Sequence, residues 1–203
     1  MEELPETARA RRVWDKAAPS YDRQIEFLER HWFTGGREWI GARATGRILD
    51  VGVGTGRTLP FYPAGTTATG IDLSPRMLEV ARQRARRPVD LREGDAENLP
   101  FADASFDTVV CALSLCTIPH PRAAVLEARR VLVPGGRLLL VDHIASHWPP
   151  VRAGQWLFEQ ITVPTAGEHF TRRQLPLVQE AGFTIVETQR FKAGTIERVH
   201  ARR

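Results

Sequence analysis

The stretch Arg47-Ile-Leu-Asp-Val-Gly-Val-Gly-Thr-Gly56 constrains this chain more than any other. Arg47–Val51 is an apolar run of strand length, and glycines 52, 54 and 56 follow it at once. Without Cβ atoms the backbone can turn sharply there and lie against a bound molecule. In a parallel sheet that turn falls at the carboxyl edge, where open α/β folds bind their ligands. A second run, Thr67–Ile71, ends on Asp72, twenty residues past Gly52. A carboxylate so placed can accept from both hydroxyls of a ribose, so the two features together point to an adenosine-containing cofactor.

The glycine spacing narrows the choice. Arg57 stands where a dinucleotide fingerprint carries its third glycine, which argues against NAD or FAD, and no Gly-Lys-Ser/Thr phosphate loop is present. A cofactor without a pyrophosphate fits better. Asp95-Ala96, after a third short strand at Val89–Arg92, adds an acceptor for an adenine amino group.

Strands and helices alternate through the middle of the chain. Ser74-Pro75 supplies an N-cap and a first-turn proline for a helix over about Pro75–Arg87. Phe106–Leu113 reads as a fourth strand, and Pro121 opens a helix that buries Ala124, Val125, Ala128 and Val131. Pro134-Gly135-Gly136 reads as a tight turn into a fifth strand, Arg137–Val141. Continuously apolar strands separated by helices imply a parallel sheet covered on both faces, an α/β three-layer sandwich. Near the end a helix finishing by Gly182 leads to Phe183–Glu187 and Thr195–Ala201, close enough to form an antiparallel hairpin. Its start is open between a Thr171/Gln174 capping box and Pro176 in the first turn.

Length and composition set the outer bounds. The 203 residues suit one domain, and two cysteines exclude a disulfide framework or a four-cysteine zinc site; no metal is expected. Cys111 and Cys116 lie among apolar residues and read as small buried hydrophobes. No apolar run approaches the ~20 residues of a membrane span. The opening MEELPETARARR has no apolar stretch after its charges and does not read as a secretory signal, so a cytoplasmic protein is expected. The pI of 9.7 comes from arginines spread along the chain, and the densest group, Arg82, Arg84, Arg86 and Arg87, falls where a helix C-terminus favours cations. A peripheral contact with an anionic lipid surface is the alternative use of this charge. The five tryptophans, with Phe27, Phe33, Phe158 and Phe170, all lie outside Arg47–His143, which suggests that the two flanks meet over the sheet as a second small core or as a lid around an amphipathic ligand.

LDVGVGTG (49–56), GIDLSPRML (70–78), GDAENLPFADASFDTVV (94–110) and RRVLVPGGRLLLVDH (129–143) resemble the successive motifs of class I S-adenosylmethionine-dependent methyltransferases. The resemblance is closest to the branch holding quinone-biosynthesis and small phospholipid N-methyltransferases, and runs from about Gly46 to His143. It implies a Rossmann-like, mostly parallel seven-stranded sheet of order 3-2-1-4-5-7-6 with strand 7 antiparallel. It divides the single domain 1–203 into an N-terminal helical lid (1–45), a cofactor-binding core (46–143), a lid insertion (144–170) and a last helix with the terminal strand pair (171–203).

The resemblance also assigns roles. Gly52, Gly54 and Gly56 would line the methionine and ribose of S-adenosylmethionine, and Asp50 would support the loop and the cofactor's amino end. Asp72 would hold the ribose diol, with Leu73 and Met77 near the adenine, whose edge would meet Asp95 and Ala96. The backbone near Leu113 would accept from the methionine ammonium. Tyr21-Asp22 resembles the Tyr-Asp of an N-terminal segment that closes over the cofactor, Tyr21 contacting its carboxylate end.

A sulfonium already carries an activated methyl group, so alignment of the nucleophile is the main requirement. A base is needed only for an acceptor that arrives protonated, and His143, His120 and His169 are the candidates. These features predict methyl transfer to an amphipathic small molecule or lipid, a phospholipid amine being one such acceptor. A quinol, an aromatic metabolite or a thiol would fit as well. A non-catalytic cofactor-binding module and a nicotinamide oxidoreductase are the other classes. No nucleic-acid partner is expected: the Asn/Asp-Pro-Pro-aromatic run of base-methylating enzymes is replaced by Leu113-Ser-Leu-Cys-Thr-Ile-Pro119.

Overall fold

The computed structural model describes residues 4–33 and 35–203, so the first residues of the leader reading and of the 1–45 segment lie outside it. Two helices, α1 (Pro5–His31) and α2 (Gly36–Gly41), precede the sheet. Then follow β1 (Arg47–Val51), a 3-10 turn (Leu59–Phe61), β2 (Thr67–Asp72), α3 (Pro75–Arg84), β3 (Asp90–Glu93), β4 (Phe106–Ala112), α4 (Pro121–Val131) and β5 (Leu132–His143). The chain ends with α5 (Pro149–Ala166), α6 (Gln174–Glu180), β6 (Thr184–Phe191) and β7 (Ile196–Arg202).

One seven-stranded sheet has the order β3-β2-β1-β4-β5-β7-β6. Strands β1 to β5 are parallel, and β7 runs antiparallel to both β5 and β6. Alternate residues of the central strands feed two cores. Leu49, Val109, Leu138 and Leu140 face α4 and α6 through Val125, Ala128 and Val178, whereas Ile48, Val110, Leu139 and Val141 face Trp39, Ile40 and Leu78. Burial of both faces is the reason these strands are apolar without a break. The sheet order puts the tips of β1, β2 and β4 side by side, with Asp50 level with Gly70 and Val110.

Local details depart from the sequence reading for identifiable reasons. Helix α3 begins on the Ser74 cap, whose Oγ accepts from Met77 N at 3.1 Å, but stops at Arg84 rather than Arg87. The residue before a proline avoids the helical region, and Arg87, ahead of Pro88, instead donates to the Pro63 carbonyl at 2.9 Å. Pro134-Gly135-Gly136 does not separate two elements. It is a bulge inside β5, where the pairing steps from Phe106–Leu132 to Thr108–Arg137, and Gly135 takes φ +75° and donates to the Arg203 carbonyl. The capping box before α6 is not formed, because Thr171 gives both its N–H and its hydroxyl to Glu159, at 2.6 and 2.7 Å.

The two aromatic flanks do meet. Arg9 of α1 donates to the Pro164 carbonyl of α5. Beyond the end of α1, Phe33 lies 6.5 Å from the His143 ring, which stacks on Phe170 at 4.3 Å; Phe170 in turn meets Phe158 of α5 at 5.1 Å.

Candidate active site

The turn after β1 is held open from below. Gly54 has φ +54°, a region costly for L side chains, and a Cβ built on it would meet nothing within 4 Å. Its bare backbone therefore faces empty space. Gly52 and Gly56, at φ +69° and +75°, are also closed in by packing. A Cβ on Gly52 would come within 2.6 Å of Ser114 Cβ, and one on Gly56 within 2.9 Å of Leu59 and 3.2 Å of Ala81 on α3.

Asp72 fixes this turn. One carboxylate oxygen accepts from Gly54 N at 2.8 Å and the other from Ser74 N at 2.9 Å, which leaves a lone pair on each for a further donor. Burial pushes this carboxyl up to about 6, against the pull of those two hydrogen bonds. Asp50, at the tip of β1, is likewise raised by burial to about 6 despite the 2.7 Å bond from the Tyr62 hydroxyl. Its second oxygen is buried without a partner among the described residues.

A cleft lies over the turn. Nine of the eleven expected cofactor residues line it: Tyr21, Gly52, Gly54, Asp72, Leu73, Met77, Asp95, Ala96 and Leu113. Asp50 and Gly56 do not, because Asp50 is turned into the sheet towards Tyr62 and Gly56 packs on α3. Leu113, the residue after β4, has φ +58°, a strained backbone for a leucine, and such strain concentrates at sites where the chain must be aimed. The cleft also takes in Ala10, Trp14 and the loop Ser114–Pro119, which the sequence reading passed over. Trp14 precedes Tyr21 by two helical turns and meets it edge-on at 6.0 Å, a spacing that marks one face of α1.

Helix α1 is tied across this cleft by ion pairs. Asp22 accepts from the Thr55 hydroxyl at 2.6 Å and from Arg84, with Arg57 3.5 Å away. Burial alone would raise its carboxyl, but the bonds from Arg84 and Thr55 and the guanidinium charges outweigh it and hold the group below its usual range. Glu29, similarly lowered against its burial, binds both Arg37 and Arg57. Asp15 accepts from the Ser74 hydroxyl at 2.6 Å. Arg84 thus works as a staple to α1 and to the Thr55 carbonyl (2.8 Å) more than as a helix-end cation.

The three histidines occupy different places. His143 is buried, its pKa driven down to about 4 by burial and by the Arg172 charge, and its Nδ1 lacks a partner among the described residues. His120 is exposed and bonds Glu97 at 2.8 Å, which raises its pKa. His169 borders a separate cavity with His120, Arg9 and Arg172. None of the three lines the cofactor cleft. Cys111 and Cys116 are both buried and free. Cys116, Asp142 and His143 bring donor atoms within 4.8 Å of one another, with Asp142 accepting from the backbone N–H of Cys116 and His143 at 3.0 and 2.8 Å.

The residues present suit a sulfonium nucleoside. Asp72 keeps acceptor capacity for a ribose, the space over Gly54 admits a ligand against bare backbone, and Ile71, Met77 and Ile118 give an apolar shelf beside Asp95. Leu113 also lines a second, open cavity. Phe33, Ile40, Phe61, Ala112 and Val141 give it apolar walls, and glutamates 26, 29 and 38 with arginines 30, 37, 57 and 84 line the rest.

A family described as methyltransferase domain matches residues 49–140. Demethylmenaquinone methyltransferase of Tropheryma whipplei (strain Twist) is 38% identical over 145 residues, covering 67% of this chain and 59% of that protein. Phosphatidylethanolamine N-methyltransferase of Cereibacter sphaeroides is 42% identical over 119 residues, covering 56% and 58%. These alignments thus span under two thirds of both relatives. Human thiol S-methyltransferase TMT1B aligns more fully, at 32% identity over 187 residues, 85% of this chain and 74% of that protein. Among solved structures, a Thermotoga maritima SAM-dependent methyltransferase, described as a possible histamine N-methyltransferase, superposes with a TM-score of 0.74 at 24% identity, covering 94% of this chain and 98% of that one. Glycine turn, paired acid, strand order and relatives agree: the chain belongs to the class I S-adenosylmethionine-dependent methyltransferases, in the branch of the quinone and phospholipid enzymes, and its cofactor is S-adenosylmethionine.

Proposed function

We propose that this chain transfers a methyl group from S-adenosylmethionine to an amphipathic small molecule or lipid, with a phospholipid amine as the first acceptor to test. The observation that carries this reading is the second cavity, which shares Leu113 with the lining of the cofactor cleft and is apolar in its walls and charged with both signs elsewhere. Aromatic and aliphatic walls suit a lipid tail or ring, and arginines beside glutamates suit a zwitterionic head group.

The bound cofactor would supply an electrophilic methyl on sulfur, so the protein's task is to bind, orient and exclude water. In this reading Asp72 and Asp95 hold the nucleoside, while the Gly52–Gly54 backbone and Leu113 hold the methionine end. Helix α1 closes over both through Trp14 and Tyr21, and its ion pairs keep it down. Alignment of this kind is worth up to about 7–11 kcal/mol without any covalent intermediate. The cavity holds none of the three histidines, which supports catalysis by alignment. An ammonium acceptor would have to shed a proton first, for which the exposed Glu26 and Glu38 are in the cavity.

Turnover of labelled S-adenosylmethionine on a panel of phosphatidylethanolamine, a demethylated quinol, an alkyl thiol and a phenol is the direct test. The relatives named for demethylmenaquinone and thiol methylation make the second and third acceptors the competing outcomes. Transfer to a lipid-like acceptor is the expected result. Cofactor binding by calorimetry with no turnover on any acceptor would point instead to a binding module.

A further inference from the structure

Helix α5 is built inside out. Its inward face is polar and hydrogen-bonded: Gln155 accepts from Ser146 N and donates to the Ile144 carbonyl, both at 2.8 Å, Glu159 holds Thr171, and Thr162 bonds the Glu168 carbonyl at 3.0 Å. Its outward face is apolar except for Arg152 and Gln160. Trp156, Leu157 and Ile161 are 59%, 65% and 63% exposed, with Trp148 at the helix start and Phe158 at its flank also exposed. A surface helix of a globular domain shows the reverse arrangement, with apolar residues inward. Unpartnered large apolar groups gathered along one helix mark a surface for an apolar partner.

The charge on this face selects the partner. Glu159, the one acidic residue in α5, is buried against Thr171, so no carboxylate points outward from the helix. Arg152 stands on the exposed side, one turn from both Trp148 and Trp156. Tryptophan rings with an arginine beside them, and no carboxylate to repel phosphate, suit the interface of an anionic bilayer, where indoles sit at head-group depth. A chain of ring contacts through the interior links the flank of this face to the proposed acceptor cavity: Phe158 meets Phe170, Phe170 stacks on the buried His143, and His143 faces Phe33, which lines that cavity.

We propose that the outward face of α5, centred on Trp156, Leu157 and Ile161, docks this protein on anionic lipid membranes. Docking requires neither cofactor nor acceptor, so it is measured apart from the methyl-transfer reading and stands or falls separately.

The test is flotation with phosphatidylglycerol/phosphatidylcholine vesicles, without methyl donor, comparing wild type with the triple variant Trp156→Ser, Leu157→Ser, Ile161→Ser. These side chains point to solvent, so the thermal melt should be unchanged. Wild type is expected to float, and the triple variant to partition about tenfold or more weaker, as loss of buried apolar surface requires. Brominated lipid should quench wild type more than Trp156→Phe. Wild type that stays off the vesicles, or a triple variant that floats equally, overturns the proposal. So does binding that high salt abolishes completely, since that assigns it to scattered arginines. A wild-type dimer that the triple variant splits, with no flotation by either, overturns it in favour of a second copy as the occupant.

Discussion

Asp22→Asn tests whether α1 is a latched lid. Asp22 receives three groups from beyond α1: the Thr55 hydroxyl at 2.6 Å, Arg84, and Arg57 at 3.5 Å. Asparagine keeps the volume and one acceptor for Thr55 but removes the charge. A charge-assisted hydrogen bond contributes about 1.5–3 kcal/mol when shielded. The Asp22 side chain is 34% exposed and its partner Arg84 26%, so solvent cuts this to about 1 kcal/mol. Arg84 retains the Thr55 carbonyl at 2.8 Å, and Glu29 and Asp15 still tie α1 down, so the lid loosens without lifting off. About 1 kcal/mol corresponds to roughly fivefold in affinity. S-adenosylhomocysteine should therefore leave the variant about fivefold faster in stopped-flow experiments, with a matching rise in Kd. Added salt should shrink the difference, because these charges are partly in water. A double-mutant cycle with Arg84→Gln should return a coupling of about 0.5–1 kcal/mol. Equal release rates at low salt, or additivity in the cycle, would refute the latch.

Cofactor affinity should depend on pH through Asp72. Its carboxyl is raised to about 6 in the folded protein and must be ionised to accept from both ribose hydroxyls while keeping its two backbone N–H bonds, so Kd should be flat above about pH 7 and rise roughly tenfold by pH 5, and a constant Kd from calorimetry across that range would contradict the ribose role. Gly54→Val should abolish S-adenosylhomocysteine binding while costing only about 1–2 kcal/mol of stability for the strained φ, since nothing stands within 4 Å of its Cβ. Gly56→Ala should show the opposite balance, a lower Tm from the clash with Leu59 and Ala81 and a cofactor affinity that changes less; equal effects in the two variants would undo the distinction. Substituting His120, His143 or His169 by glutamine, one at a time, should leave kcat within about tenfold if alignment dominates. A collapse with one of them at unchanged cofactor Kd would identify a proton acceptor.

The framework of the site was legible because it depends on local backbone chemistry. A strand running into alternating glycines, and an acid closing the next strand, are short-range patterns whose geometry the parallel sheet fixes. Gly52, Gly54 and Asp72 came together around one cleft for that reason, with Asp95 and Ala96 beside them, whereas Tyr21, Leu73, Met77 and Leu113, which also line it, were expected only from the family resemblance. Asp50 and Gly56 were harder to place. Both belong to the same motif, but which way a side chain turns depends on its tertiary partner, here the Tyr62 hydroxyl for Asp50 and the α3 backbone beneath Gly56. Trp14 was placed only among the flank aromatics of a second core or lid, although its spacing from Tyr21 tied it to the same helix face and so to the cofactor cleft. The loop after β4 gave little signal, since its place in the cleft comes from Arg172, which donates to the Leu115 carbonyl at 3.1 Å and the Ile118 carbonyl at 2.5 Å from a segment more than fifty residues away.

The arginines join these observations. A pI of 9.7 suggests a cationic surface, yet the guanidinium groups that matter most here point inward at loop ends. Arg37 and Arg57 meet on Glu29, Arg84 joins α3 to α1, Arg130 gathers Glu127, Asp103 and the carbonyls of Leu99 and Phe101, and Arg172 holds the loop above the cofactor cleft. A planar fork with five donors can satisfy several loop carbonyls at once, which an ammonium cannot do with the same reach or geometry. That is a physical reason for a chain of this charge to carry arginine at almost every cationic position. It also separates two uses of positive charge that composition alone merges. Arg37, Arg57, Arg84 and Arg172 secure the loops and the lid around the cofactor cleft, so the net charge is a poor guide to partners. The outer face of α5, with one arginine among exposed aromatic and aliphatic groups, is the face proposed to contact lipid, and the strength of such a contact would come from apolar area rather than from the count of cations.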